Sequence, residues 1–259
     1  MNENPGLREL SQSRAALIAG IVLSANVIIA MPTFFVLLPG IIGSGNAAEV
    51  LSNIIASEQR FRLGILFLVL NFIADVFVFW GLYYFLKPVS KSISFLTLLF
   101  GLMHVVIGLL SVSNLTALLH MANRIVFDTS LSPSFFYSQA ATMIDAFHWA
   151  WQAGFVIFGL HLLLRGCLFF WAGYMKKLLG IALILAGAAY LFDGFAQIIV
   201  FGYNTTYVAT YLGTLEILLP VWLLIKGRRK IYDLFILIPS REYQANSKCH
   251  GANHQCPNN

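Results

Sequence analysis

Six apolar runs of roughly twenty residues dominate this chain, and no other feature constrains its fold as tightly. They cover approximately 15–38, 63–86, 93–119, 141–164, 178–201 and 207–225. About 20 residues of α-helix cross the roughly 30 Å of hydrocarbon in a bilayer. Backbone groups in lipid have to be satisfied within the segment, so each run is expected to be a helix. Only 10% of the 259 residues are charged, against about a quarter in a soluble globular domain. The expected fold is therefore an all-α integral membrane bundle of about six transmembrane helices. The first run follows Arg8 and Arg14 and exceeds the roughly 7–15-residue core of a signal peptide, so it is read as a span.

Turn residues separate the runs. Gly43-Ser44-Gly45-Asn46 ends the first, Lys87-Pro88 the second, Ser132-Pro133 precedes the fourth, and Gly202-Tyr203-Asn204 parts the fifth from the sixth. Over 47–58, Val50, Leu51, Ile54 and Ile55 recur at helical spacing, as in a short helix lying on the membrane surface.

Orientation follows from Lys and Arg. One side carries Arg8, Arg14, Lys87, Lys91, Arg165, Lys176, Lys177, Lys226, Arg228, Arg229, Lys230, Arg241 and Lys248; the other carries Arg60, Arg62 and Arg124. Basic loops stay in the cytoplasm, so both termini are expected inside. This gives a cytoplasmic N-terminus over 1–13, a transmembrane domain over 14–227 and a basic, polar tail over 228–259, expected to be partly disordered. The charge flanks spans rather than forming a patch, so membrane lipids are the expected partners and nucleic acid is not. Self-association into a homo-oligomer is left open.

Ionisable groups inside the spans are the candidates for function, because each is costly in lipid. They are Asp75, His104, Asp145, His148, His161, Asp193 and Glu216. Asp145, His148 and Gln152 share one face of the fourth span; Tyr190, Asp193 and Gln197 share one face of the fifth. If the faces meet, they form an outward-facing polar cluster able to relay protons or hold a cation; otherwise they bond helices together. Pro220 removes the helical partner of the carbonyl at Glu216, marking a kink beside a carboxylate. Arg165 is expected to snorkel to the headgroups, with His161 capping or bridging a neighbour. His148 and His161 lie about 140° apart around their helix, which does not suit a pair of haems; no cofactor is expected. In the tail, Cys249, His250, His254 and Cys256 are zinc-type ligands, but four within eight residues is tighter than structural zinc spacings, which favours an incidental arrangement. Gly20-xxx-Ser24 and Ala182-xxx-Ala186 suit close helix packing.

Phe61-Arg62-Leu63-Gly64, Asp75, Leu86-Lys87-Pro88-Val89, Phe158-Gly159-Leu160-His161, Gly173-Tyr174, Leu179-Gly180, Tyr190-Leu191-Phe192-Asp193, and Glu216 followed by Trp222 to Gly227 together resemble the bacterial DUF4386 family. The likeness spans roughly residues 10 to 228. It implies a multi-pass protein of the bacterial inner membrane, of unknown function. It puts forward Arg62, Asp75, His161, Asp193 and Glu216 as leading ligand- or proton-binding candidates, with His104, Asp145, His148, Gln152 and Gln197 secondary. The leading functional expectation is a non-enzymatic protein that binds or moves a small solute or protons through an acidic interior. The alternatives are an intramembrane enzyme acting on a lipid-like substrate, without an H-E-x-x-H or G-x-S-x-G motif to support it, and a structural or regulatory partner.

Overall fold

The computed structural model describes residues 11–42, 46–127, 132–172, 177–200, 203 and 207–225. The described elements are helical throughout: α1 (Gln12–Pro32), a π-helical turn (Thr33–Leu37), α2 (Ala47–Ala56), α3 (Glu58–Leu86), α4 (Lys91–Phe127), α5 (Pro133–Trp171), α6 (Lys177–Ile199), α7 (Tyr207–Gly213) and a 3₁₀ turn (Thr214–Ile217). Helix then resumes over 218–225. The protein is an all-α membrane bundle. Among the described residues, five helices are long and apolar enough to cross a bilayer: α1 with its π turn, α3, α4, α5 and α6. The sixth apolar run is broken instead. A 3₁₀ turn at Thr214–Ile217 interrupts it, ending three residues ahead of the Pro220 that cannot donate a helical hydrogen bond. The basic tail with its cysteines and histidines lies outside the described residues.

Helix starts follow local chemistry. Ser11 accepts a bond from the Arg14 amide, and Asn46 from the Glu49 amide at 3.0 Å, each satisfying an orphan N–H of the first turn. Pro133 occupies the opening turn of α5 after Ser132, where its missing N–H is harmless. Pro32 sits at the end of α1, and the register slips there into the π turn, with Thr33 Oγ1 donating to the Ile29 carbonyl at 2.8 Å. Arg60 reaches back to donate to the carbonyls of Val36 and Pro39. Gly40, at φ +76°, supplies the left-handed residue that turns the chain.

Consecutive long helices pack as neighbours, α1 on α3, α3 on α4, α4 on α5, α5 on α6 and α6 on α7. The ring closes where Gly20 of α1 meets Leu223 and Leu224 of the last segment. At that end the Trp222 ring lies against Phe85 and Phe169. The stretch over 47–58 forms α2 and the start of α3, with Ile55 exposed. Val50, Leu51 and Ile54 are at most 2% exposed, and α2 packs on α4 and α5 rather than resting its apolar face on lipid. The reason is length: α4 has 37 residues and α5 has 39, about 55 Å and more at 1.5 Å per residue. Their ends outrun the hydrocarbon and offer α2 an apolar seat that water would otherwise meet.

Glycines set the closest approaches. Gly159 and Gly166 of α5 face Gly187 and Gly180 of α6, both pairs seven residues apart, which is two helical turns. A Cβ on Gly166 would lie 2.8 Å from the Ile184 nitrogen and 2.9 Å from the Gly180 carbonyl oxygen. The same spacing joins α3 to α4, where Gly101 and Gly108 leave room for the rings of Phe79 and Phe72. Gly20 does pack closely, while Ser24 turns back to its own helix, donating to the Gly20 carbonyl at 2.7 Å. Ala182 and Ala186 are both buried.

Gly166→Val should therefore force α5 and α6 apart and cost about 1–3 kcal/mol. Gly154→Ala, where the nearest atoms would be an ordinary 3.6 Å away, should leave stability unchanged. Thermal unfolding of the two variants in detergent separates these outcomes.

Candidate functional site

The bundle holds a partly open cavity of about 580 Å³ whose polar lining is Asn71, Asp75, His104, Arg165, Tyr190 and Glu216. Four helices and the 3₁₀ turn supply these groups, so the site exists only in the assembled fold. Its remaining walls are apolar, and Phe34, Phe35, Phe72, Phe79, Trp151, Phe155 and Phe158 are among them. The rings run as a connected series. Trp151 lies 5.8 Å from Phe34, 6.0 Å from Phe72 and 5.7 Å from Phe155, and Tyr190 lies 5.1 Å from Phe155 and 5.4 Å from Phe158.

Arg165 is the unexpected member. Instead of snorkelling it is 2% exposed, deep in α5. The helix continues to Trp171, which moves position 165 about nine Å inward from the helix end at 1.5 Å per residue. Its guanidinium lies over the Phe79 ring, 5.7 Å from the centroid, and interacts by charge with Glu216 and Asp75. An isolated cation in lipid is expensive, and two carboxylates within electrostatic reach offset that cost. Each carboxylate has its own polar neighbour. Asn26 of α1, buried at 4% exposure, donates to Asp75 Oδ1 at 2.6 Å, and Asn71 ties the Asn26 carbonyl at 3.2 Å. Tyr190 of α6 acts on the Glu216 carboxylate from across the cavity. The expected acidic interior is therefore a carboxylate–guanidinium–carboxylate cluster.

Both interior histidines are fixed in the same way. His104 Nδ1 donates to the Gly154 carbonyl at 2.9 Å and His161 Nδ1 to the Thr97 carbonyl at 2.6 Å, each bond joining α4 to α5. A carbonyl only accepts, so Nδ1 carries the proton and Nε2 presents a lone pair in the neutral ring. Phe158 lies between them, 4.6 Å from His104 and 5.7 Å from His161. His161 is 1% exposed, and its Nε2 has no hydrogen-bond partner among the described residues.

The two polar faces of α5 and α6 are brought together only in part. Asp145, His148 and Gln152 of α5 meet Gln197 of α6 around a separate cavity of about 370 Å³, shared with Trp149 and Tyr203. Tyr190 instead faces the central cavity. Asp193 turns to the α7 side, where it is 1% exposed and accepts from the Tyr203 hydroxyl and the Ala209 amide, both at 2.6 Å. That geometry is a latch seating the start of α7. Arg62 lies on the surface, paired with Glu58 at 2.6 Å one turn away, and is not among the residues lining either cavity. Of the leading candidates, Asp75 and Glu216 line the central cavity, while His161 sits behind its ring wall. Sequence reasoning missed the placement of Arg165, Asn26, Asn71 and the aromatic series; the one available signal was the apolar Gly166-Cys167-Leu168-Phe169-Phe170-Trp171 that follows Arg165.

A family model described as "Domain of unknown function (DUF4386)" matches residues 18–227. The chain belongs to the DUF4386 family. A protein of Archaeoglobus fulgidus, described as an uncharacterized protein, is 32% identical over 160 residues, which is 61% of this chain and 79% of that protein. The likeness is thus not confined to bacteria. No solved structure matches. The family match covers every residue lining the central cavity.

Asp193→Ala should remove two acceptor bonds and leave the Ala209 amide without its partner, at about 1–3 kcal/mol. Hydrogen exchange should then speed at Ala209 in α7 while the α4–α5 contact stays protected.

Proposed function

We propose that this DUF4386 protein is a small-solute carrier of the prokaryotic cytoplasmic membrane, with both termini inside, binding its solute in the central cavity. The observation that supports it most is the joining of the Asp75–Arg165–Glu216 cluster to an aromatic wall in one cavity. Its volume of about 580 Å³ falls in the roughly 300–1,000 Å³ range of small-molecule sites, and a few convergent polar groups among apolar walls are their usual lining. Ionisable side chains at such depth mark substrate or proton routes in membrane proteins. The broken helix supports the same reading: Glu216 sits in a 3₁₀ turn beside the cavity, and interrupted helices place irregular backbone where a cavity is lined.

Asp75 and Glu216 serve as the proton-exchanging groups. With one positive and two negative groups, the cluster carries a formal charge imbalance that a low-dielectric site resists, so a proton on either carboxylate restores balance. Arrival or departure of a charged solute then shifts that proton. Arg165 holds the two acids in one electrostatic unit, and the histidines hold α4 against α5.

Proteoliposomes loaded with a pH-sensitive dye test this with a panel of small amphipathic acids, amines and neutral solutes. At least one class should drive proton movement, and Asp75→Asn and Glu216→Gln should each reduce it to the level of protein-free liposomes. Failure of every class to bind or to move protons would contradict the proposal.

A further inference from the structure

We infer that the solute of the central cavity carries a carboxylate, held side-on by Arg165 with its apolar body against the aromatic wall. The inference rests on the reading of the cavity as a solute site and adds the chemistry of its ligand.

Arg165 carries the argument. It is 2% exposed and lines the cavity, and its Nε and Nη2 have no hydrogen-bond partner among the described residues. Those two nitrogens point their hydrogens the same way, along one edge of the planar guanidinium. Both nitrogens are covered in this conformation; turned toward the cavity, that edge meets both oxygens of a carboxylate through two parallel bonds. A buried, charged donor pair left unmatched is unfavourable, and an acceptor with two coplanar oxygens satisfies it in one step. The neighbouring acids do not fill this role. Asp75 takes its bond from Asn26, Glu216 makes no hydrogen bond to the guanidinium, and both act on Arg165 through charge. The Phe79 ring lies beneath the guanidinium, 5.7 Å from its carbon to the ring centroid.

Charge narrows the class further. The groups around Arg165 are Asp75 from α3, His104 from α4, His161 from its own helix, Tyr190 from α6 and Glu216 from the 3₁₀ turn. Two of these are acids. A dianion such as a phosphate monoester would set two further negative charges against them with a single guanidinium to compensate. A monocarboxylate adds one, which a proton on Asp75 or Glu216 offsets. The rings of Phe72, Trp151, Phe155 and Phe158 then suit an alkyl or aryl body. A fatty acid from the membrane and a water-soluble aryl acid present the same group.

Isothermal titration of the full-length protein in nanodiscs distinguishes the outcomes. The ligands are decanoate and phenylacetate, with decanamide, phenylacetamide, decylamine and phenethylamine as matched controls. At least one acid should bind roughly tenfold or more tighter than its own amide, since a site built to bond a polar group rejects the analogue lacking it. Preference for decanoate assigns a membrane source, and preference for phenylacetate an aqueous one. Arg165→Lys keeps the charge but loses the two-pronged edge, and should bring acid and amide affinities together. An amide binding as tightly as its acid, or an amine binding tighter, overturns the carboxylate assignment while leaving a solute site in place. Acid preference that survives in a folded Arg165→Gln protein also overturns it. Binding by none of the six ligands counts against both readings, and the wild-type comparison stands even if the variants do not fold.

Discussion

A guanidinium enclosed by membrane helices has to be compensated close by, and the central part of this fold is arranged around that requirement at Arg165. Moving an ion out of water costs several kcal/mol even after relaxation, and attraction to a partner offsets it only with good geometry. Here the compensation comes from α3, through Asp75, and from the broken last segment, through Glu216. Each acid also has a polar neighbour from yet another helix: Asn26 of α1 donates to Asp75, and Tyr190 of α6 lines the cavity with Glu216. One buried charge thereby ties together five parts of the chain that are far apart in sequence. Apolar packing alone gives helices in lipid little directional preference; this cluster supplies direction.

Close packing and the cavity are complementary consequences of where glycine falls. Between α5 and α6 the paired glycines let backbones meet directly, leaving no space. Between α3 and α4 the glycines face rings instead, so Phe72 and Phe79 fold into α4 and their other faces line the cavity. The seven-residue spacing on both interfaces keeps each contact on one side of a nearly straight helix. Side-chain-to-carbonyl bonds fasten α4 to α5 along their length: His161 to Thr97, His104 to Gly154 and Ser111 to Phe147. That pair forms the rigid wall against which the cluster and the ring series are displayed.

Apolar run length revealed the helices, because satisfaction of the backbone in lipid is a local rule that each segment obeys alone. The break near Glu216 was legible for the same reason, through Pro220. The position of α2 was not, since Val50, Leu51 and Ile54 show the same helical stripe whether they meet lipid or the ends of α4 and α5. The site was legible by residue type and not by partnership. Asp75 and Glu216 stood out as acids in apolar runs, yet so did Asp193, which holds α7 rather than the cavity. Arg165 looked like a headgroup anchor because its span was drawn to end at 164, whereas α5 continues to Trp171. A side chain's role here depends on which helix stands opposite, and helix order in a bundle leaves no local trace in the sequence.

The claim that Arg165 and Glu216 form one compensated unit is tested most directly by a double-mutant cycle read as thermal stability in detergent. Arg165→Gln alone should cost about 3–5 kcal/mol by leaving buried acids uncompensated. Adding Glu216→Gln should recover part of that loss, so that the double variant is more stable than the sum of the single changes. Strictly additive effects would show that the two groups do not interact and would contradict the account.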